Sequence, residues 1–278
     1  MTSPVPQYSM IEQMVCATSR LIRDGEVVYV GVGLPVISVL LAKRTHAPDC
    51  TIVLETGIVR TAAFPLPAFL DTLATQARAD LFSGAGYVNA LAQRGRIDLG
   101  IIGAGQIDRF GNVNSTVVGP FDAPVLRWPG AGGACEIASL CGRFIVVVSQ
   151  KRQRFPARVD FVSAPGYLDG GQSARDAAGL RRGTGPANVI TDLATYTFPA
   201  GVMQLASLHA GVALDRIAAE TAWDVVAPAL PYPATPPPTE EELRILRNDI
   251  DPDRIVLPQT RWPDSGTSPA AMAMAPIT

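Results

Sequence analysis

At 278 residues the chain is long enough for one large α/β domain or two small ones with a substantial core. Nearly half of its residues are hydrophobic, 17% are charged and the net charge is −2, which excludes a disordered chain and leaves no basic stripe for a nucleic acid. The start, MTSPVPQYSM, lacks a signal-peptide pattern, no apolar run reaches membrane-spanning length, and four cysteines are too few for a disulfide framework. A cytoplasmic protein with reduced thiols and no membrane partner is expected.

In chain order, residues 8–23 place apolar side chains at helical spacing until Asp24-Gly25. Residues 27–30 read as a buried strand running into Gly31-Val32-Gly33-Leu34-Pro35, and 36–46 as a helix. The run 51–54 is a second strand, and it stops on one carboxylate, Glu55, followed by Thr56 and Gly57. Residues 86–94 read as a helix and 97–102 as a strand entering Gly103-Ala104-Gly105. Residues 143–149 form a β-branched strand, with further strands at 159–163, 187–191 and 202–207. The strands are apolar throughout and alternate with helices, so the fold class is α/β, a largely parallel sheet with helices on both faces.

The polar, glycine-rich region 169–186 reads as an exposed loop and the proline-rich 228–238 as a linker. Thr239 and Glu242 predict a capping box on a short helix. The expected organisation is one α/β domain over 1–227, linker and helix over 228–256, and an aperiodic, disordered tail over 257–278.

Much chemistry is missing. Only His46 and His209 could serve as a histidine base, no G-x-S-x-G elbow exists, and both histidines read as structural. Cys135 and Cys141 have no second pair, so no metal site is expected and both read as buried thiols. No Walker lysine follows the glycine loops, and Gly31-x-Gly33 lacks the third glycine of a dinucleotide fingerprint. What stands out is glycine at strand ends: 31–33, 84–86, 103–105 and 130–133. Ligands gather outside the carboxyl ends of parallel strands, where glycine lets the backbone aim N–H groups at an oxyanion. Glu55 lies at such an end, as a solvated residue or as a chemical group; composition leaves both open.

Several stretches together resemble the β subunit of family I CoA-transferases, in particular that of glutaconate CoA-transferase. They are VGVGLP (30–35), LETG (54–57), RGRIDLGIIGAGQIDRFGNVNSTVVG (94–119), PGAGGACEIAS (129–139), RVDFVSAPGYLDGG (158–171), VITDLATYTF and SLHAGVALDRIAAETAWDV. The likeness covers about residues 8–255. It departs at His209-Ala210-Gly211, where the family often has H-P-G, and at Thr221-Ala222-Trp223, where it often has T-G-[FW].

The resemblance implies a three-layer CoA-transferase fold and a catalytic Glu55. The carboxylate would attack an acyl-CoA, giving an anhydride and then a γ-glutamyl-CoA thioester, with no tightly bound cofactor and coenzyme A thioester as substrate. Such a nucleophile needs no base, because an ordinary carboxylate is ionised at neutral pH. It implies Gly132 and Gly133 as an oxyanion loop. Gly31, Gly33, Gly57, Gln106, Asn112 and Asn114 are candidates to position Glu55, CoA or the acid; for the three amides a role as satisfied turn groups stays equally open. No G-x-G-G-F segment is present, so a homologous α subunit, in an α2β2 assembly, is expected. Acyl-CoA hydrolysis with ring cleavage, decarboxylation, and a non-catalytic partner role remain alternatives, as does a nucleotide-binding domain resting on Gly31 and Gly33. Phe64, Phe82, Tyr87 and Trp128 are read as core or as an acyl pocket.

Overall fold

The structure is a computed structural model that describes residues 8–66 and 72–257. The chain opens with α1 (Met10–Ser19), β1 (Val27–Val30), α2 (Leu34–Arg44), β2 (Thr51–Leu54) and β3 (Ile58–Arg60). The one-turn α3 (Leu73–Gln76), β4 (Leu81–Phe82), α4 (Ala85–Gln93) and β5 (Leu99–Gly103) follow. Two small hairpins come next, β6 (Gln106–Ile107) with β7 (Val113–Asn114), and β8 (Val117–Val118) with β9 (Leu126–Arg127). Then come α5 (Ala134–Leu140), β10 (Arg143–Val147), α6 (Gly171–Ala177), β11 (Pro186–Ile190), β12 (Ala194–Thr197) and β13 (Gln204–Leu208). α7 (Leu214–Ala219) and α8 (Glu240–Arg244), which runs into a π-helical turn at Ile245–Ile250, end the described chain.

Nine strands make the main sheet, in the order β13-β12-β11-β10-β5-β1-β2-β3-β4. The central β11, β10, β5, β1 and β2 are parallel, and two strands at each edge run antiparallel. Period-2 alternation sends side chains to opposite faces. Val28, Val30, Ile52 and Leu54 pack with α1, α2 and the Ile245–Ile250 turn. Tyr29 and Val53 pack on the other face with α4, α5 and α7. The strands are apolar on both faces because both are covered, the expected three-layer arrangement. Connections leave β1 towards β2 and β5 towards β10, so the chain changes direction between β1 and β5. In parallel sheets that switch point is where ligands bind.

Several local expectations change. No strand forms over 159–163; instead Ser163 and Ala164 donate to Val113 O, and side-chain amides hold the rest. Region 169–186 contains α6, whose Arg175 is completely buried. Its guanidinium donates to the carbonyls of Pro165, Gly166 and Ala138 and to the Thr184 hydroxyl, which removes the usual cost of burying a cation far from water. The proline-rich 228–238 is not a free linker. Leu208 N donates to Pro233 O and Thr235 N to Leu208 O, adding an extended rung beside β13. The Thr239–Glu242 capping box is present, and Ile245, Leu246 and Ile250 bury their side chains in the α1–α2 core. The expected tail lies outside the described residues, save for Leu257, which is buried. Cys141 is buried as expected but Cys135 is exposed.

His209 is buried, with Nε2 donating to Thr191 O at 2.8 Å and Nδ1 beside the Thr235 hydroxyl at 2.9 Å. Burial holds the imidazole below its ordinary value, so the folded state keeps it neutral. Below about pH 6.5 the unfolded chain gains a proton that the folded chain refuses, so this stability, present above pH 6.5, is lost as the pH falls. Denaturant midpoints measured between pH 7.5 and 5.5 should therefore drop with acidification, and less steeply in a His209→Gln variant. Equal slopes would remove His209 from the acid response.

Candidate active site

β2 delivers Glu55. Leu54 pairs with Val30 and faces the α1–α2 core, so Glu55, two residues past Val53, comes out on the α4–α5 side. The turn after it depends on Gly57, whose φ is +103°. Gly57 N–H donates to Leu54 O at 3.0 Å, and Gly57 O accepts from Ser83 N at 3.0 Å and Ser83 Oγ at 2.9 Å. A Cβ at Gly57 would overlap Ser83 O and lie 2.7 Å from Ser83 C, so only glycine lets the two turns meet.

The glycine loop before α5 supplies the opposite wall. Gly132 is left-handed at φ +53° and Gly133 follows at φ −81°, an arrangement that aims successive N–H groups into one concavity. Gly133 N–H donates to Glu55 Oε2 at 3.1 Å. A Cβ on Gly133 would sit 3.1 Å from that oxygen and 3.2 Å from the Tyr29 hydroxyl oxygen. α5 reaches this position because Gly100 of β5 leaves space for Ile137, which a Cβ there would overlap.

Tyr29, buried on β1, donates to Asn89 Oδ1 at 3.2 Å. Burial, reinforced by the charge of Glu55, pushes the phenol well above its ordinary value, so it stays a neutral donor. The Asn89 amide nitrogen makes no hydrogen bond among the described residues. Tyr29, Ala85 and Asn89 on one side, and Gly132, Gly133 and Glu136 on the other, enclose an open cleft of about 260 Å³ with Glu55 in it. A second hollow of about 240 Å³ lies between Arg44, at the far end of α2, and residues 249–255, away from this carboxylate.

The sequence candidates divide. Gly132, Gly133 and Gly57 meet Glu55 or its turn. Gly31 follows β1 at the same sheet edge, and Gly33, at φ +83°, starts α2; both leave open space where a Cβ would be. The structure does not bring Gln106, Asn112 or Asn114 to the cleft. Gln106 donates to Asp160 and accepts from Asn114, and Asn114 also accepts from Thr116 N and Val117 N and donates to Val117 O. Asn112 binds Asp108, Gly166 and Leu168. All three are buried and saturated by protein partners, which leaves them no group for a substrate. Phe64 is core, Phe82 and Tyr87 are exposed, and Trp128 stacks against Gly105; none lines the cleft. Tyr29, Asn89 and Glu136 are site residues that no sequence motif marks. The alternation Tyr29–Gly31 beside Val53–Glu55 was the available signal for Tyr29. Among the described residues no group of three or more His, Cys, Asp or Glu could hold a metal ion. None of the described helices is long and apolar enough to cross a membrane.

The model of the coenzyme A transferase family matches residues 11–220. The chain belongs to the coenzyme A transferase family. It is similar to the β subunit of 3-oxoadipate CoA-transferase from Pseudomonas knackmussii, 36% identical over 243 residues, covering 86% of this chain and 92% of that one. The β subunit of glutaconate CoA-transferase from Acidaminococcus fermentans is 32% identical over 254 residues, covering 88% of this chain and 93% of that one. The crystal structure of that glutaconate CoA-transferase matches with a TM-score of 0.84 at 28% identity, over 91% of this chain and 99% of that chain. The cholesterol ring-cleaving hydrolase IpdB subunit of Rhodococcus jostii is 31% identical over 225 residues, covering 79% of this chain and 82% of that one.

Gly57→Ala should force apart the Glu55 and Ser83 turns at a cost of at least about 2 kcal/mol, from a strained φ and a backbone overlap together. Thermal unfolding should register this as a Tm lower by several degrees. An unchanged Tm would show that the turn tolerates a side chain.

Proposed function

We propose that this chain is the β-type subunit of a heteromeric acyl-CoA:carboxylate CoA-transferase and that Glu55 carries CoA as a covalent γ-thioester. The observation that carries this reading is the Glu55 carboxylate held at the mouth of an open cleft by the Gly133 N–H, with no histidine beside it. A carboxylate attacks a thioester without a base, and the glycine loop already contains a donor for the oxyanion.

In the first half-reaction a Glu55 carboxylate oxygen attacks the acyl carbon of the donor thioester and CoA thiolate leaves, forming a mixed anhydride. The thiolate then attacks the Glu55 carbonyl carbon, forming the γ-thioester and releasing the donor acid as its carboxylate. An acceptor carboxylate reverses both steps and leaves with CoA. As Glu55 loses its charge on acylation, Gly133 N–H is released from the carboxylate and can meet the developing oxyanion. The Asn89 amide, oriented by Tyr29, offers a second donor.

The assembly with a homologous α subunit, as α2β2, rests on the subunit naming of the relatives and on large apolar side chains left exposed, among them Phe82, Phe121, Val125 and Leu126. The free cysteines fit a cytoplasmic location. The transferases among the relatives are named for dicarboxylic acids, and an acid of that class is the first to try.

The test is co-purification with the partner subunit, an acyl-CoA screen, and trapping of the thioester by borohydride or hydroxylamine. Wild type should give an adduct at Glu55, and Glu55→Gln should lose activity by at least roughly 10⁴-fold. Full activity in Glu55→Ala would reduce the chain to a scaffold for its partner. The similarity to the ring-cleaving hydrolase subunit supports a second reading, acyl-CoA hydrolysis; turnover of a competent acyl-CoA without any adduct would favour it. Asn89→Ala should lower kcat by about 10²-fold with little change in KM, measured in steady state; an unaffected kcat would remove it from the oxyanion site.

A further inference from the structure

Three helices of this chain carry glutamate at their third position: Glu12 in α1, Glu242 in α8 and Glu136 in α5. In the first two the carboxylate folds back onto the N-cap, accepting from Ser9 N and Thr239 N at 2.7 Å each. This is the ordinary role of glutamate at that place. α5 is built differently. Its N-cap, Gly133, has ψ 5° where Ser9 and Thr239 have 159° and 160°, and its N–H goes to Glu55. Glu136 is thereby released from capping. It makes no hydrogen bond or ion pair among the described residues, is half-buried and lines the cleft beside Glu55.

An ionised carboxylate only accepts hydrogen bonds, so its occupant must bring an N–H, an O–H or a cation. The cleft holds no lysine, arginine or histidine, so this chain supplies no counter-charge for an acyl carboxylate lying next to Glu136. One reactant brings a neutral donor in every turnover. The pantetheine arm of CoA carries an amide N–H two methylenes from the sulfur that Glu55 would exchange. We infer that Glu136 accepts a hydrogen bond from this amide N–H and so places the CoA sulfur against Glu55 in both half-reactions. The inference rests on the transfer reading above.

The test uses the complex with the partner subunit and the acyl group that gives the fastest turnover in the screen. That group is presented as the thioester of N-acetylcysteamine, which keeps the amide, and as the thioester of 2-mercaptoethyl acetate, where an ester oxygen replaces N–H. Wild type should prefer the amide thioester in kcat/KM by about tenfold or more, the range of a hydrogen bond to a charged group. Glu136→Gln, which keeps an accepting carbonyl, should retain part of the preference. Glu136→Ala and the size-matched Glu136→Met should reduce the ratio to near one. A wild type without preference, a ratio unmoved in the variants, or equal losses on both thioesters would each overturn the inference; equal losses would point to a cation from the partner subunit instead. Absence of any Glu55 adduct in wild type defeats the transfer reading itself, and is a different result from an adduct that forms with the preference unmoved.

Discussion

The 3.1 Å hydrogen bond from Gly133 N–H to Glu55 Oε2 joins two parts of the chain that lie 78 residues apart, and much of the architecture serves to make it possible. β2 must end in register with β1 for the carboxylate to emerge on the α4–α5 face. α5 must lie close over β5, which requires Gly100 beneath Ile137. Gly132 must be left-handed for the Gly133 N–H to turn inward. Each condition is local, and each is set by a glycine or by strand alternation. The bond also has two states in the proposed chemistry. It steadies an ionised carboxylate at rest, and it is free for an oxyanion once that carboxylate has been acylated.

How much of this was legible in the sequence follows from the kind of signal involved. The parallel strands were readable because burial on both faces makes them apolar runs, and Glu55 was conspicuous because it interrupts one. Edge strands such as β12 and β4 were not readable, since short or alternating segments carry little hydrophobic signal. α6 was hidden by its polar composition. Its buried Arg175 counts as a surface residue in any sequence reading, and only the converging carbonyls of three residues make its burial acceptable.

The site residues divide on the same principle. Gln106, Asn112 and Asn114 sit in a conspicuous motif, but their hydrogen-bond capacity is used within the protein, tying the β6–β7 hairpin to residues 160–168. Tyr29, Asn89 and Glu136 sit in no conspicuous motif of their own and reach the cleft from a strand and two helices. Spacing along a sequence shows which groups are near one another in the chain. It does not show which of them still have a hydrogen bond to give.

The clasp between Gly57 and Ser83 has an architectural consequence. Two hydrogen bonds from Ser83 to Gly57 O close the excursion between them where it began, and Thr61 N and Oγ1 bonding to Asp80 at 2.6 and 3.0 Å repeats the closure one step further out. Everything between Thr61 and Asp80 is therefore a cassette with a fixed base. Its length and composition can drift over generations, or be exchanged by design, without moving the carboxylate that stands at its hinge.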